Sequence, residues 1–294
     1  MTSRNAAWKW KLTACLLMAA VAPPRGTAQT AVVQEPAVEV ALDRAYHAMY
    51  NLNFAEAFRE ADAAKAAAKD DPMPWVAQSC AVLFREFERL NILRSDLFAS
   101  DETFDGREAQ TWNPQARKDF EYALSNAEKL AQQRLARNQN DLRALFALTL
   151  TNGLRADDAA LIGKKNISAL SFTRAANSYA ERLLSRAPDY YDAYLATGMG
   201  KYIIGGKAAP VRWLLRLGGL KGDREEGVRE LKLAAEHGHY LAPFARILLA
   251  FDDLRNKKKV EARRMLAALH EQFPNNPLFV QELAKLDHPS PTGH

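Results

Sequence analysis

Pro188-Asp-Tyr-Tyr-Asp-Ala-Tyr194 opens the stretch whose reading decides the fold. An apolar run through Gly198 and Gly200 follows, then residues 207–221 with Pro210 and Trp213. The stretch closes with Gly222-Asp-Arg-Glu-Glu-Gly-Val228 and Arg229-Glu-Leu-Lys-Leu-Ala-Ala235, ahead of Pro243. Apolar residues recur at helical spacing on both sides of the interruption, and prolines and glycines punctuate the ends. It reads as one helical hairpin opened by an insertion between its two helices.

Outward from it the same pattern recurs. Val38, Leu42, Ala45, Tyr46 and Met49 share a helical face, Asn51-Leu-Asn53 breaks it, and Phe54-Ala-Glu-Ala-Phe58 starts an Ala-rich helix reaching Lys69. A third helix is expected from Trp75 to Ser95, then a loop over 98–113 and a long helix from Pro114 to Asn138. Asp141 suits the N-cap of a helix over Leu142–Leu154, because its carboxylate can accept from the free N–H groups of the first turn. Residues 155–166 extend past that helix, and the next is expected from Phe172 to Ala187. Downstream, Phe244–Arg255 and Val260–Phe273 form a further hairpin, and Leu278–Leu286 a capping helix.

Asn53-Phe-Ala-Glu-Ala-Phe58 resembles the start of the second helix in a tetratricopeptide repeat, where Asp-Tyr-x-Glu-Ala-Ile/Leu is usual. That family repeats every ~34 residues and closes each unit near a proline. With Pro188 as that proline, the resemblance implies that Tyr194 fills the aromatic position of the next first helix and Gly198 the small-residue crossing. Gly222 and Asp223 then start the second helix, with Gly227 in place of the crossing alanine. Phe54, Ala57, Ala262 and Pro274 take the corresponding repeat positions elsewhere. Pro210, Leu214-Leu215, Gly219 and Gly222-Asp-Arg224 with Gly227 also resemble the eukaryotic inclusion-body-clearance family of tetratricopeptide proteins, over residues 194–250. The implied fold is all-α: a right-handed superhelix of stacked antiparallel hairpins over residues 37–287, with an insertion in a late repeat. Such an array implies a concave groove that binds a protein or peptide segment.

The repeat does not require residues 207–221. There Val211, Trp213, Leu214, Leu215, Leu217 and Leu220 alternate with Lys207, Arg212, Arg216 and Lys221. One reading is a short helix that plugs the array's own groove, its basic heads reaching outward. The other is an amphipathic contact with a membrane surface or a partner, through Lys207, Arg212, Trp213, Leu214, Arg216 and Leu217.

Composition narrows the rest. The formal charge of +5 is concentrated at the N-terminus, where residues 1–28 hold Arg4, Lys9, Lys11 and Arg25 and no acid. The remainder is nearly neutral, which speaks against a nucleic-acid partner. Leu12–Ala22 is an apolar core behind that basic start, and Gly26-Thr-Ala28 a small-residue cleavage site. The layout is that of a secretory signal peptide over 1–28, with a retained amphipathic anchor as the alternative. Export to the periplasm is the expectation, with residues 29–36 as a polar lead-in and 288–294 as a disordered tail. Beyond the leader the only cysteine is Cys80, on the apolar face of a helix and expected to be a buried structural thiol.

The sequence shows no catalytic motif. Gly205-Gly-Lys207 is followed by Ala208 where a phosphate loop needs Ser or Thr for magnesium, and His270-Glu271 lacks the second histidine of a zinc-protease helix. His237-x-His239 falls at a helix end, where a histidine interacts well with free carbonyls. Asp157-Asp158, Asp252-Asp253 and Glu225-Glu226 read as solvated surface or first-turn residues. A non-enzymatic scaffold without cofactor or metal is the expectation, with an unrecognised enzyme in the helical groove as a further alternative.

Overall fold

The computed structural model describes residues 36–98, 106, 108–205 and 222–287. Eleven α-helices and no strand occur among them: α1 (Ala37–Tyr50), α2 (Phe54–Ala67), α3 (Met73–Arg89), α4 (Pro114–Arg137), α5 (Leu142–Asp157), α6 (Asn166–Leu184), α7 (Tyr194–Gly205), α8 (Arg224–His237), α9 (Ala242–Arg255), α10 (Lys259–Gln272) and α11 (Pro277–Asp287). Each packs on the next in sequence, so α1/α2, α3/α4, α5/α6, α7/α8 and α9/α10 form five hairpins and α11 covers the last. We call the connection within a hairpin its turn and the connection between hairpins a joint.

Local chemistry sets the starts. Asn53, Asn113, Asp141 and Asp223 each accept from first-turn N–H groups, and Pro114 at the first position of α4 has no N–H to leave unpaired. Where the N-cap residue offers no acceptor, another residue supplies one. Asp192, buried between α6 and α7, receives the N–H groups of Tyr240 and Leu241 at 3.1 and 3.0 Å and so caps α9 from the neighbouring joint. Expected and observed ends differ most at two places: α3 stops at Arg89 and not at Ser95, and α6 begins at Asn166 and not at Phe172. At α3 the left-handed Asn91 closes the helix early, and at α6 the reason lies in the preceding turn. After Asp157 the chain runs through a π-turn over Asp158–Ile162, and the Lys165 N–H reaches back to Ala159 O at 2.7 Å. Helical geometry thereby continues to Ile162 and resumes at Asn166, with only Gly163, Lys164 and Lys165 between, Lys164 at φ 49°.

The turns repeat. Leu52 and Lys257 sit at φ 58° and 61°, the left-handed region, without being glycine. Around Leu52, Asn53 N–H bonds to Ala48 O and Leu52 N–H to Met49 O, both at 2.9 Å. Around Lys257, Lys258 N–H bonds to Asp253 O at 2.8 Å and Lys257 N–H to Leu254 O at 3.1 Å. This paired closure is the Schellman geometry, and Asn91 repeats it at the end of α3. Superimposing the two turns aligns Glu56-Ala57 with Glu261-Ala262, and both alanines are buried at the hairpin crossing.

In the fourth hairpin the crossing residues are glycines. A Cβ on Gly227 would stand 2.6 Å from Tyr202 N and 2.7 Å from Gly198 O. One on Gly198 would stand 3.0 Å from Gly227 O and Leu231 N. The two backbones therefore touch, as the placing of Gly198 and Gly227 requires. The insertion opens where expected: Gly222 lies against the backbone of Ile204 and Gly205, so the chain leaves and returns at one point.

The array also closes on itself. Arg143 at the start of α5 lies 2.7 Å from Glu39 on α1. Tyr46 stacks on Tyr240 of the α8–α9 joint at 4.8 Å, and the Tyr50 hydroxyl donates to Tyr240 O at 3.0 Å. Further along, Asn276 Nδ2 donates to Tyr50 O at 2.8 Å and Asn275 N–H to Asn51 Oδ1 at 3.1 Å. Helix α1 thus lies along the joint ends of the later hairpins. Phe84 of α3 meets Phe244 of α9 edge-on at 5.6 Å. One core cluster runs from Ala41 to Phe279 as a result, with Phe120, Phe146 and Phe273 wholly buried.

Candidate functional site

Three places could carry function: the polar seam beneath α1, the π-turn, and the turn edge of the last hairpins. At the seam Arg143 is the hub. Its Nε donates to Asp71 Oδ1 and Oδ2 at 2.9 and 2.7 Å, and Nη2 lies 2.6 Å from Oδ2 but off the hydrogen-bond line. Burial opposes the charge, but Asp71 and Glu39 more than offset it and hold the guanidinium protonated. Glu39 in turn accepts from the Tyr240 hydroxyl. Burial and that bond push the Tyr240 hydroxyl well up, so it remains a donor. His239 stacks on Tyr240 at 4.2 Å and lies 2.7 Å from Asp43. Apart from the Arg143 Nη2 donor, which stays without a hydrogen bond, each charge of the cluster meets an opposite charge or a donor, an arrangement that fastens α1 to the joints.

At the π-turn the two aspartates part company, which corrects the reading of both as solvated. Asp158 accepts from Trp112 Nε1 at 2.7 Å and Arg117 Nη1 at 2.6 Å, tying the turn to the start of α4. Asp157 is half-buried at the end of α5, beside Asp158. Burial first, and the charge of Asp158 second, push its carboxyl group up to about 7. Cys80 is buried as expected. Burial drives its thiol up to about 12, against a 4.0 Å contact from the Tyr46 hydroxyl. A thiol so held stays protonated and is a poor nucleophile. Asp252 departs from its expectation too, receiving Tyr202 Oη and Arg224 Nη2 at 2.7 Å each.

The residues singled out in the insert, Lys207, Arg212, Trp213, Leu214, Arg216 and Leu217, lie outside the described residues, as do the leader and the tail. The repeat positions are placed. Phe54 and Ala57 start α2, and Tyr194 begins α7 with its hydroxyl on Pro188 O at 3.1 Å. Asp223 caps α8, Ala262 is buried in α10, and Pro274 stands in the α10–α11 joint. Glu225 and Glu226 occupy the first turn of α8 as expected.

The turn edge carries residues that the sequence reading passed over. The second position of α6 is Ile167, 88% exposed, and the second position of α10 is Val260, 79% exposed. Ile203, near the end of α7, is 43% exposed between them. Lysines precede both tips: Lys164-Lys165 before α6 and Lys257-Lys258-Lys259 at α10. The signal was present as a Lys-Lys pair closely followed by a β-branched apolar residue at a helix start. It is weak until the structure shows both side chains facing out.

Two surface depressions lie elsewhere, of about 640 Å³ beside Arg85, Arg89 and Asn113, and about 440 Å³ beside His47, Asn51 and Asn275. Among the described residues no group of three His, Cys, Asp or Glu side chains is placed to hold a metal, and no helix is long and apolar enough to cross a membrane. No family model, curated protein or solved structure matches the chain.

Proposed function

We propose that this chain is a non-enzymatic interaction scaffold of the tetratricopeptide type, exported to the periplasm by its N-terminal leader, which meets its partner through the turn edge of hairpins three to five. The closure of the array carries the reading. The inner side, where a bound peptide would lie in an open superhelix, is occupied by the chain itself: Phe84 packs on Phe244, and α1 lies along the joints. The joint ends are thereby spoken for, and the turn ends are what remains to present. The repeated left-handed turn and the buried Ala57 and Ala262 support the repeat type. Consumption of the Arg143 cluster in its own ion pairs, together with a protonated, buried Cys80, supports a non-catalytic role.

Site-specific photo-crosslinking in the native envelope tests this. A crosslinker at Ile167 or Val260 should give a discrete adduct, to protein or to lipid. The same group at Tyr122, exposed on α4, or at Leu142, at a joint, should give none. Adducts from Tyr122 or Leu142 alone would sink the assignment of the edge.

A further inference from the structure

The edge has a chemistry of its own, and naming its partner rests on the reading above. Joints between successive hairpins meet α1 at Arg143, at Tyr240 and at Asn275–Asn276, so these joint ends lie on one side. Paired helices in a hairpin run antiparallel, so the turns of hairpins three, four and five lie on the other side. That side presents Lys165 and Ile167 from hairpin three, Ile203 from hairpin four, and Lys257, Lys258, Lys259 and Val260 from hairpin five.

Charge along this edge is uneven, basic at the turns of hairpins three and five and acidic at the start of α8 between them. The turn of hairpin three holds Lys164 and Lys165 without an acid between Asp158 and Glu181. Around the turn of hairpin five stand Arg255, Lys257, Lys258 and Lys259. The acids facing them are largely engaged: Asp252 by Tyr202 and Arg224, and Asp253 at 3.9 Å from Lys258; Glu261 is exposed. Asp223, Glu225 and Glu226 stand at the start of α8, with Lys201, Arg224 and Arg229 beside them. The insert leaves and returns on this side, at Gly205 and Gly222.

We infer that this edge docks on an anionic lipid surface, with Ile167 and Val260 entering the headgroup–acyl boundary and the lysines at Lys165 and Lys257–Lys259 meeting lipid phosphates. The assignment follows from two features found together. A β-branched side chain standing clear of a helix tip has no protein neighbour to bury it, and an interface of headgroups and acyl chains accepts it while accepting the cations one turn away. A protein partner of ordinary size would need a broad packed face with an apolar centre, whereas here the apolar contacts are separate tips, each with lysines beside it.

Vesicle co-sedimentation of the chain from Gln29, which contains the whole compact unit, decides the matter. The probes are phosphatidylcholine vesicles alone and with one quarter phosphatidylglycerol. Wild type should sediment with the anionic vesicles, less with neutral ones, and progressively less as salt rises. Ile167→Ser with Val260→Ser should lower partitioning by at least about tenfold. Neutralising Lys165, Lys258 and Lys259 to Gln should cost about fivefold each and remove the preference for anionic lipid. Leu142→Ser with Arg186→Glu, on the joint side, should bind as wild type does. Unchanged urea midpoints would confirm that all variants remain folded.

Failure of wild type to bind anionic vesicles, or equal binding by the edge variants, overturns the proposal. So does loss on Trp213→Ala without loss in the edge variants. If the crosslinkers at Ile167 and Val260 label protein while vesicles stay unbound, the scaffold reading stands and the lipid assignment falls. If crosslinks arise only from other faces, the scaffold reading falls first.

Discussion

The contact between α7 and α8 makes a prediction whose sign differs from one glycine to the next. Alanine in place of a helical glycine gains about 1 kcal/mol, because the unfolded chain loses freedom and the helix keeps it. At Gly153, inside α5, nothing lies within 4 Å of an added Cβ, so Gly153→Ala should stabilise the protein by about 0.5–1 kcal/mol. At Gly227 the added carbon meets Tyr202 N at 2.6 Å, Gly198 O at 2.7 Å and Tyr202 Cα at 2.9 Å. All three are backbone atoms and cannot rotate away, so the helices must part by several tenths of an ångström. Overpacking of that kind costs about 2–3 kcal/mol, which leaves a net loss of about 1–2 kcal/mol. Gly198→Ala, with its nearest contacts at 3.0 Å, should fall between the two. Urea unfolding followed by helical circular dichroism reads the series. With a slope of about 3 kcal/mol per molar, Gly227→Ala lowers the midpoint by about 0.3–0.7 M while Gly153→Ala raises it slightly. A Gly227→Ala protein as stable as wild type, or a Gly153→Ala protein equally weakened, would refute the backbone contact.

Asp157 predicts a pH dependence. Below about pH 4 it is protonated whether folded or not, and its burial costs nothing; as pH rises to about 7 only the unfolded chain ionises, so stability falls, and above that the penalty is constant. Asp157→Asn should therefore be more stable than wild type by up to about 3 kcal/mol at pH 8, with the gap closing towards pH 4 in paired denaturation curves. Arg143→Ala should destabilise by about 2–3 kcal/mol, because it leaves Asp71 and Glu39 facing each other with Tyr240 and no cation. Added Asp71→Asn should recover part of that loss in a double-mutant cycle. Cys80 should resist alkylation at pH 8 in the native protein and react fully in denaturant, as mass spectrometry would show.

Helix hairpins were legible because their causes are local. Asn53, Asp141 and Asp223 cap within three residues of their own position, and the Glu-Ala pairs at 56–57 and 261–262 recur at the spacing of a repeating turn. Gly198 and Gly227 announced a close crossing before any coordinate did, since only glycine or alanine leaves room for it. The start of α6 was misjudged because a π-turn has no composition of its own: Lys165 reaching back to Ala159 is a matter of backbone geometry.

By itself, then, the sequence determined an all-helical array, most helix boundaries apart from the end of α3 and the start of α6, and the point where the fourth hairpin opens. Only the tertiary structure decided what that array does with its inner side. Glu39 finds Tyr240, and Tyr50 finds Asn276, across some two hundred residues. No periodicity encodes such a meeting, because it depends on the accumulated angles of every hairpin between. The same accumulation half-buries Asp157 and leaves Ile167 and Val260 exposed at the starts of their helices. Spacing along a chain specifies which face of a helix is apolar; the stacking of helices decides which apolar face is left without a neighbour.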